Sequence, residues 1–234
     1  MISVCVATYN GEKYIAEQIL SILSQLSDKD EIIVSDDGST DKTIEIIQKI
    51  NDSRIIILRH KTKGKTGFEK AKNNFCNALG RAKGDYIFLS DQDDIWHPQK
   101  VEIFTNYLNQ YECVQSDCEL MSPTPYTTGA LKQYDSLIGN IIHLPFRGCN
   151  MAITRNLLDI ILPIPDSVIT HDAWIGCCAI LRKSYIKIND ELLIYRIHDN
   201  NVSVRKNRNT IWFKLSYRFT ILYYVLKRCY LNIK

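Results

Sequence analysis

The sequence predicts an α/β fold with a mostly parallel central sheet flanked by helices. Short apolar runs of strand length alternate with segments of helical periodicity through the N-terminal half. Three runs end in polar turns, namely Thr8-Tyr9-Asn10, Asp36-Asp37-Gly38-Ser39 and Asp91-Gln92-Asp93-Asp94. Strands alternating with helices imply a parallel sheet covered on both faces.

Ile2–Ala7 is a short apolar run, as a buried strand requires. Glu12–Ser24 carries Ile15, Ile19, Ile22 and Leu23 at helical spacing. Glu31–Ser35 reads as a second strand, stopped by the turn signal Asp37-Gly38. Ser39 or Thr40 can cap the next helix, Asp41–Ile50. Arg54–Leu58, Phe68–Ala82 and Gly84–Ser90 continue the alternation as strand, helix and strand. Beyond Asp94 the pattern changes. Pro98–Asn109 reads as a helix, Cys113–Met121 as a strand and Ser122–Thr128 as turn. Leu131–Leu144 is expected to be helical and to lead into a strand at Cys149–Thr154. Thr170–Leu181 gathers Trp174, Cys177, Cys178 and Leu181 on one helical face, and Leu192–Ile197 is a late strand.

Composition sets bounds. The 234 residues are 45% hydrophobic and 24% charged, which suits one folded domain with an appendage and argues against disorder. Net charge is +3, yet eight basic residues lie at or beyond Arg205 and no acid follows Asp199. The tail therefore meets something anionic. The eight cysteines form no CxxC pair, so free thiols in a reducing cytosol are expected. Strand-like sequence begins at Ile2, leaving no signal peptide, and the apolar run Phe219–Leu226 is too short to span a bilayer. The sequons at Asn51 and Asn201 are then chance matches.

In an open parallel sheet, ligands bind beyond the carboxyl ends of the strands. Acidic turns there have the wrong sign for phosphate. A divalent metal between carboxylate and phosphate removes the conflict, and hard cations such as Mg²⁺ or Mn²⁺ favour oxygen ligands. An isolated Asp-x-Asp is more often a solvated turn or helix cap, but four carboxylates at strand ends reverse those odds. Gly64-Lys65-Thr66 mimics the end of a P-loop, but the upstream glycine position holds Arg59. A glycosidase would need two carboxylates flanking one bond, which fits less well than metal–diphosphate binding.

Val4-Cys5-Val6-Ala7-Thr8-Tyr9-Asn10-Gly11, Ile22-Leu23-Ser24-Gln25, Val34-Ser35-Asp36-Asp37-Gly38-Ser39-Thr40-Asp41 and Gly84-Asp85-Tyr86 through Asp91-Gln92-Asp93-Asp94-Ile95-Trp96 occur in that order. Together they resemble the family-two glycosyltransferases of the GT-A, nucleotide-diphospho-sugar transferase fold. The Ser-Asp-Gln-Asp-Asp-x-Trp and Tyr-Arg-x-His-x-x-Asn variants resemble its bacterial rhamnosyltransferase-type members. The resemblance implies a catalytic domain over residues 1–204, with a nucleotide-sugar-binding half (1–97), an acceptor-side half (98–204) and a basic amphipathic helical extension (205–234).

It also implies roles. Thr8, Asp36 and Asp37 would line the nucleotide site, with Tyr9 stacked on the base; Tyr9 packing on Tyr14 is the plainer alternative. Lys72 would face the nucleotide, or be a solvated helix lysine. Asp91 and Asp93 would hold the divalent metal, with Asp91 also near the ribose and Asp94 a weaker candidate. His198 would be a third metal ligand or a diphosphate contact. Asp172 would be the general base of an inverting transfer, or simply a helix cap, with His171 supporting it. Gly148, Cys149, Asn150, His171 and Trp174 would face the acceptor, and Cys149 has no partner histidine that would make it a nucleophile.

The implied reaction moves a sugar, rhamnose before hexose, from dTDP-rhamnose or a UDP-hexose to a hydroxyl of a glycan or lipid-linked acceptor, with no nucleic-acid partner. The implied setting is bacterial cell-surface polysaccharide synthesis in the cytoplasm, at the inner face of the plasma membrane. Residues 210–230 mix aromatic and basic side chains, as a surface-lying helix at an anionic membrane would, or a helix packed on its own domain. Two rivals are a sugar-nucleotide nucleotidyltransferase and an inactive scaffold. The first would want a glycine-rich basic loop where Thr8-Tyr9-Asn10-Gly11-Glu12 stands.

Overall fold

A computed structural model describes residues 1–62, 64, 66–121, 131–134, 136–198, 201 and 210–231. The expected turn at Ser122–Thr128, Lys65, Asp199 and Asn200, and the basic residues Arg205, Lys206, Arg208 and Lys234 lie outside the described residues.

The strands are β1 (Ile2–Thr8), β2 (Glu31–Asp36), β3 (Ile55–Arg59), β4 (Tyr86–Asp91), β5 (Ile95–Trp96), β6 (Cys113–Met121), β7 (Met151–Thr154) and β8 (Tyr185–Arg196). The helices are α1 (Ile15–Leu23), α2 (Thr43–Ile50), α3 (Gly67–Leu79), α4 (Lys100–Leu108), α5 (Leu137–His143), α6 (Arg155–Ile161), α7 (His171–Leu181) and α8 (Ile211–Leu231), with a 3₁₀ turn at Gly148–Asn150. The strands form one sheet in the order β3-β2-β1-β4-β7-β6-β8-β5. β3, β2, β1 and β4 are mutually parallel, β7 runs against both β4 and β6, and β5 runs against β8. The predicted parallel core is present, with an antiparallel strand inserted where the pattern changes.

Strand periodicity explains the layers. Val4 and Val6 join one apolar cluster with Ile15, Ile19 and Phe104, while Cys5 joins the other with Phe75, Leu157 and Trp174. Successive residues of a strand point to opposite faces, so an unbroken apolar run packs helices on both sides.

Several elements differ from expectation. Neither Ser39 nor Thr40 caps α2. The backbone N–H of Thr43 bonds the Asp41 carboxylate at 3.0 Å, and Ser39 and Thr40 instead join the loop after β1. Cys149 and Asn150 belong to the 3₁₀ turn rather than to a strand. Two-residue β5 is too short to show periodicity, and α6 follows its strand without a break. β8 starts at Tyr185 rather than Leu192, because charged Lys187 and Glu191 still pair with β6.

The tail is not free-standing. Along α8, Ile221 and Val225 are fully buried, and the Arg228 guanidinium donates to the carbonyls of Ile160, Leu162 and Pro163 at 2.8, 3.2 and 2.9 Å. The plainer expectation, packing on its own domain, therefore holds for this face. Trp174 is fully buried under Arg228, and its indole N–H donates to the carbonyl of Ile161 at 3.1 Å. It is a core residue, not the expected acceptor-side group.

Gly176 holds α7 against the loop that leads to the 3₁₀ turn. A Cβ there would lie 2.1 Å from Phe146 Cε1. Gly176→Ala gains helix propensity of about 1 kcal/mol but overpacks at a cost of about 1–3 kcal/mol. A lower Tm is expected in a thermal melt, and Phe146→Leu in the same chain should recover part of it. An unchanged Tm for Gly176→Ala would contradict the packing.

Candidate active site

Register brings the three turns together. Thr8 aligns with Asp36, and Ala7 aligns with Asp91. Gln92 then stitches the edge. Its Oε1 accepts from the Thr8 hydroxyl at 2.6 Å and from the backbone N–H of Tyr9 at 2.8 Å, while its amide donates back to the Tyr9 carbonyl. A Cβ on Gly11 would stand 2.4 Å from that same oxygen, so a side chain there would displace the Gln92 amide from these bonds. Asn10, at φ 50°, donates its backbone N–H to Ser39 and accepts from the backbone N–H of Thr40. This fixed platform leaves Tyr9 exposed at the edge, ring outward, rather than packed in a core.

Asp36 is buried and occupied by its own turn, accepting the backbone N–H groups of Gly38 and Ser39 and the Ser39 hydroxyl. Its described role is to shape the loop that presents Asp37. The Asp37 carboxylate accepts the backbone N–H of Thr62 at 2.6 Å and the Thr62 hydroxyl at 2.9 Å. Each oxygen keeps a further lone pair for a donor. Lys72 is buried rather than solvated, and its ammonium lies 3.5 Å from the Asp166 carbonyl.

Acidic groups crowd the centre. Asp91, Asp94 and Cys149 each place one ligand atom within 4.8 Å of the others. Burial, then the charges of Asp93, Asp94 and Asp172, hold the Asp91 carboxyl well above its usual range. Burial, then Asp93, pushes Asp94 up to about 7. Asp94 Oδ1 accepts the backbone N–H of Arg196 at 3.1 Å, while buried Oδ2 has no nitrogen or oxygen partner among the described residues. Asp93 pairs with His198 Nε2 at 2.8 Å, and the imidazole stacks on Tyr14 with centroids 4.9 Å apart. Asn201 braces this histidine by accepting its backbone N–H. The late Tyr-Arg-x-His-x-x-Asn motif thus closes on the acidic turn.

A positive charge that sequence reasoning missed sits beneath. Lys100 is fully buried, donates to the Cys149 carbonyl at 3.0 Å and lies over the Trp96 ring at 4.6 Å. Burial pulls its pKa down to about 8 against the opposing pull of Asp94 and Asp91. Its only sequence signal is its place two residues after Pro98, at a helix start.

The residues expected on the acceptor side arrive from two elements. Gly148 abuts the buried His171 so closely that a Cβ would lie 2.5 Å from its Nε2. That ring also packs on Phe75, 4.2 Å between centroids, and burial depresses its pKa. His171 is therefore a neutral spacer between α3, α7 and the Gly148 turn. Asp172 follows it in the first turn of α7, half-buried, and its charge is felt at Asp91. Thr170, not Asp172, occupies the cap position. Both amide atoms of buried Asn150 lack a nitrogen or oxygen partner among the described residues. Burial raises the Cys149 thiol well above its ordinary pKa, so it stays protonated.

The carboxylates present fit a hard divalent cation. Four acidic side chains repel one another at one strand edge, and a cation is what relieves such repulsion. Protonated Cys149 is a poor ligand for it.

The profile of Glycosyl transferase family 2 matches residues 3–189. The chain is 31% identical, over 98% of its length and 96% of the other's, to the Escherichia coli UDP-Glc:alpha-D-GlcNAc-diphosphoundecaprenol beta-1,3-glucosyltransferase WfaP. Its fold matches S. aureus TarS in complex with UDP-GlcNAc at a TM-score of 0.71 with 19% identity, covering 97% of this chain and 66% of TarS 1-349. It also matches glucosyl-3-phosphoglycerate synthase from Mycobacterium tuberculosis in complex with Mn²⁺, UDP and phosphoglyceric acid, at 0.58 with 19% identity, covering 98% of this chain and 78% of that one. At such identities the two structures speak to the GT-A fold.

The raised carboxyl pKa values give a pH signature. In the metal-free chain, Asp91 and Asp94 hold protons in the folded state to higher pH than in the unfolded state. Between pH 4.5 and 7.5, a window around the value of about 7 for Asp94, these two carboxyls bind more protons in the folded chain and lower stability as pH rises, against the smaller opposite contribution of the single depressed His171. Tm measured in chelator should drop across that window, and Asp94→Asn should flatten the drop. A Tm that climbs steadily from 4.5 to 7.5 would contradict the charge crowding.

Proposed function

Because this chain belongs to glycosyl transferase family 2, we propose that it is an inverting, metal-assisted hexosyltransferase using a UDP-hexose donor. The observation that carries the reading is the convergence of Asp91, Asp93, Asp94 and Asp172 on one edge, where each raises the cost of ionising Asp91 or Asp94. The name of the E. coli relative, with its UDP-Glc donor, moves the hexose ahead of the rhamnose that the motifs favoured. The same name supports a sugar on a lipid diphosphate as acceptor class.

The roles follow from placement. Tyr9 offers an outward ring for the uracil, and Asp37 offers free lone pairs to a base N–H. Asp91, Asp93 and His198 would hold Mn²⁺ or Mg²⁺, which when bound offsets charge on the departing diphosphate. Asp94 and Lys100 set the depth and charge of that floor. Asp172, in the first turn of α7, would take the proton of the attacking hydroxyl. The acceptor would enter past Gly148, Cys149 and Asn150. The eight cysteines are all unbridged, which supports the reducing cytoplasmic side of a membrane as the setting.

Melting curves test this. UDP-glucose with Mn²⁺ should raise Tm more than either alone. Asp93→Ala should lose the Mn²⁺-dependent part. Asp172→Asn should keep the donor shift while glucose transfer falls about 10²–10⁴-fold. Stabilisation by dTDP-rhamnose and by no UDP-hexose would overturn the donor assignment.

A further inference from the structure

Helix α8 carries two apolar stripes. Ile221, Val225 and the stem of Arg228 face the protein. On the opposite side, Trp212, Leu215, Phe219, Tyr223, Leu226 and Tyr230 follow one another at spacings of three and four residues, all exposed and none charged. Such spacing keeps side chains on one face of a helix. Neighbouring α5 extends this surface with exposed Ile138 and Ile142, and the Arg218 guanidinium ties the helices by donating to the Ile142 carbonyl at 2.8 Å. No described helix is long and apolar enough to cross a membrane.

We propose that this α5–α8 face is a docking surface for an anionic lipid bilayer, and that it presents the Asp172 cleft to acceptors held in that bilayer. Charge selects the occupant. α8 carries Lys214, Arg218, Lys227 and Arg228 and no acidic residue; Lys227 borders the stripe, while Lys214 and Arg218 lie on the row of Ile221 and Val225. A second copy of the same face would set one wholly basic helix against another. Anionic headgroups complement them, each basic residue near such a surface contributing to attraction. The stripe's composition also suits the interface, where Trp and Tyr bury a ring and keep a polar tip in water.

The link to the site is direct. The Tyr217 hydroxyl bonds the Thr170 hydroxyl, one residue before His171 and two before Asp172. The Tyr224 hydroxyl bonds Ser167 at 3.2 Å on the same approach loop. A shallow groove lined by Ser167, Ser216, Phe219, Thr220, Tyr223 and Tyr224 runs along that junction. The docking helix and the base-bearing loop are thereby one unit. The lipid-held acceptor rests on the reaction proposed above, whereas the docking surface rests on α8 alone.

The test uses the full chain and vesicles of phosphatidylcholine alone or in equal parts with phosphatidylglycerol. Of the three tryptophans, Trp96 and Trp174 are buried, so Trp212 reports on the face. Co-sedimentation with the anionic vesicles, weakened by salt, and a blue shift of Trp212 emission are expected. Phe219→Glu with Leu226→Glu, both on exposed positions, should keep the Tm and weaken the partition at least about tenfold. Absence of vesicle binding, equal binding by the double variant, or a lipid-independent dimer that buries Trp212 would each overturn the proposal. The Tm shift with UDP-glucose and Mn²⁺ should be the same in both proteins. If that shift is missing from both while vesicle binding persists, the donor reading fails and the docking surface stands.

Discussion

Like charges forced together at one edge of the sheet are the constraint on which the site depends. Asp91, Asp93, Asp94 and Asp172 arrive from a strand end, its turn and a distant helix. Water would screen such charges, but Asp94 is buried and Asp91 partly so, and both resist ionisation instead. Relief comes from fixed partners: the Arg196 backbone N–H, the His198 ring and the Lys100 ammonium. Each compensates part of the charge, and among the described residues Asp94 Oδ2 has no nitrogen or oxygen partner. An edge so crowded with carboxylates suits a hard divalent cation.

The deficit is tolerated because the surrounding frame is stiff. β1, β2 and β4 are central, parallel and packed on both faces, so their carboxyl ends cannot drift apart. Gln92 and the Asn10–Ser39–Thr40 bonds then fix the two loops to each other. Two glycines at the site let backbone and side chain approach closely: Gly11 beneath Gln92 and Gly148 against His171. The edge at Tyr9 and Asp37 and the turn at Gly148 are therefore set by packing.

Much of this was legible in the sequence because strand ends and turn residues are local signals. Thr8-Tyr9-Asn10, Asp36-Asp37 and Asp91-Gln92-Asp93-Asp94 stand where the periodicity placed them. What stayed hidden depends on contacts between distant segments. Lys100 reads as an ordinary helix-start lysine until the fold brings the Cys149 carbonyl to it, 49 residues away in sequence. Asp36 reads like Asp37, yet the turn consumes its carboxylate. Trp174 stands two residues from Asp172, but two helical steps rotate it by about 200°, away from the cleft and into the core. α6 and β5 were missed because a strand running directly into a helix, and a two-residue strand, leave no periodicity to detect.

Helix α8 shows the same limit from another direction. Its sequence alone supports two fates, because apolar residues occupy both sides. The fold separates them by giving one stripe to Ile161, Trp174 and their neighbours and leaving the other outward. Burying Arg228 among three backbone carbonyls fixes which face is which, since a guanidinium satisfied there cannot be turned to solvent without leaving those carbonyls unpaired. Rotation of α8 about its axis is thereby blocked. The hydroxyl pairs at Thr170 and Ser167 extend that restraint to the loop before Asp172. The orientation of the outer stripe is thereby tied, through those hydroxyl pairs, to the loop that precedes Asp172.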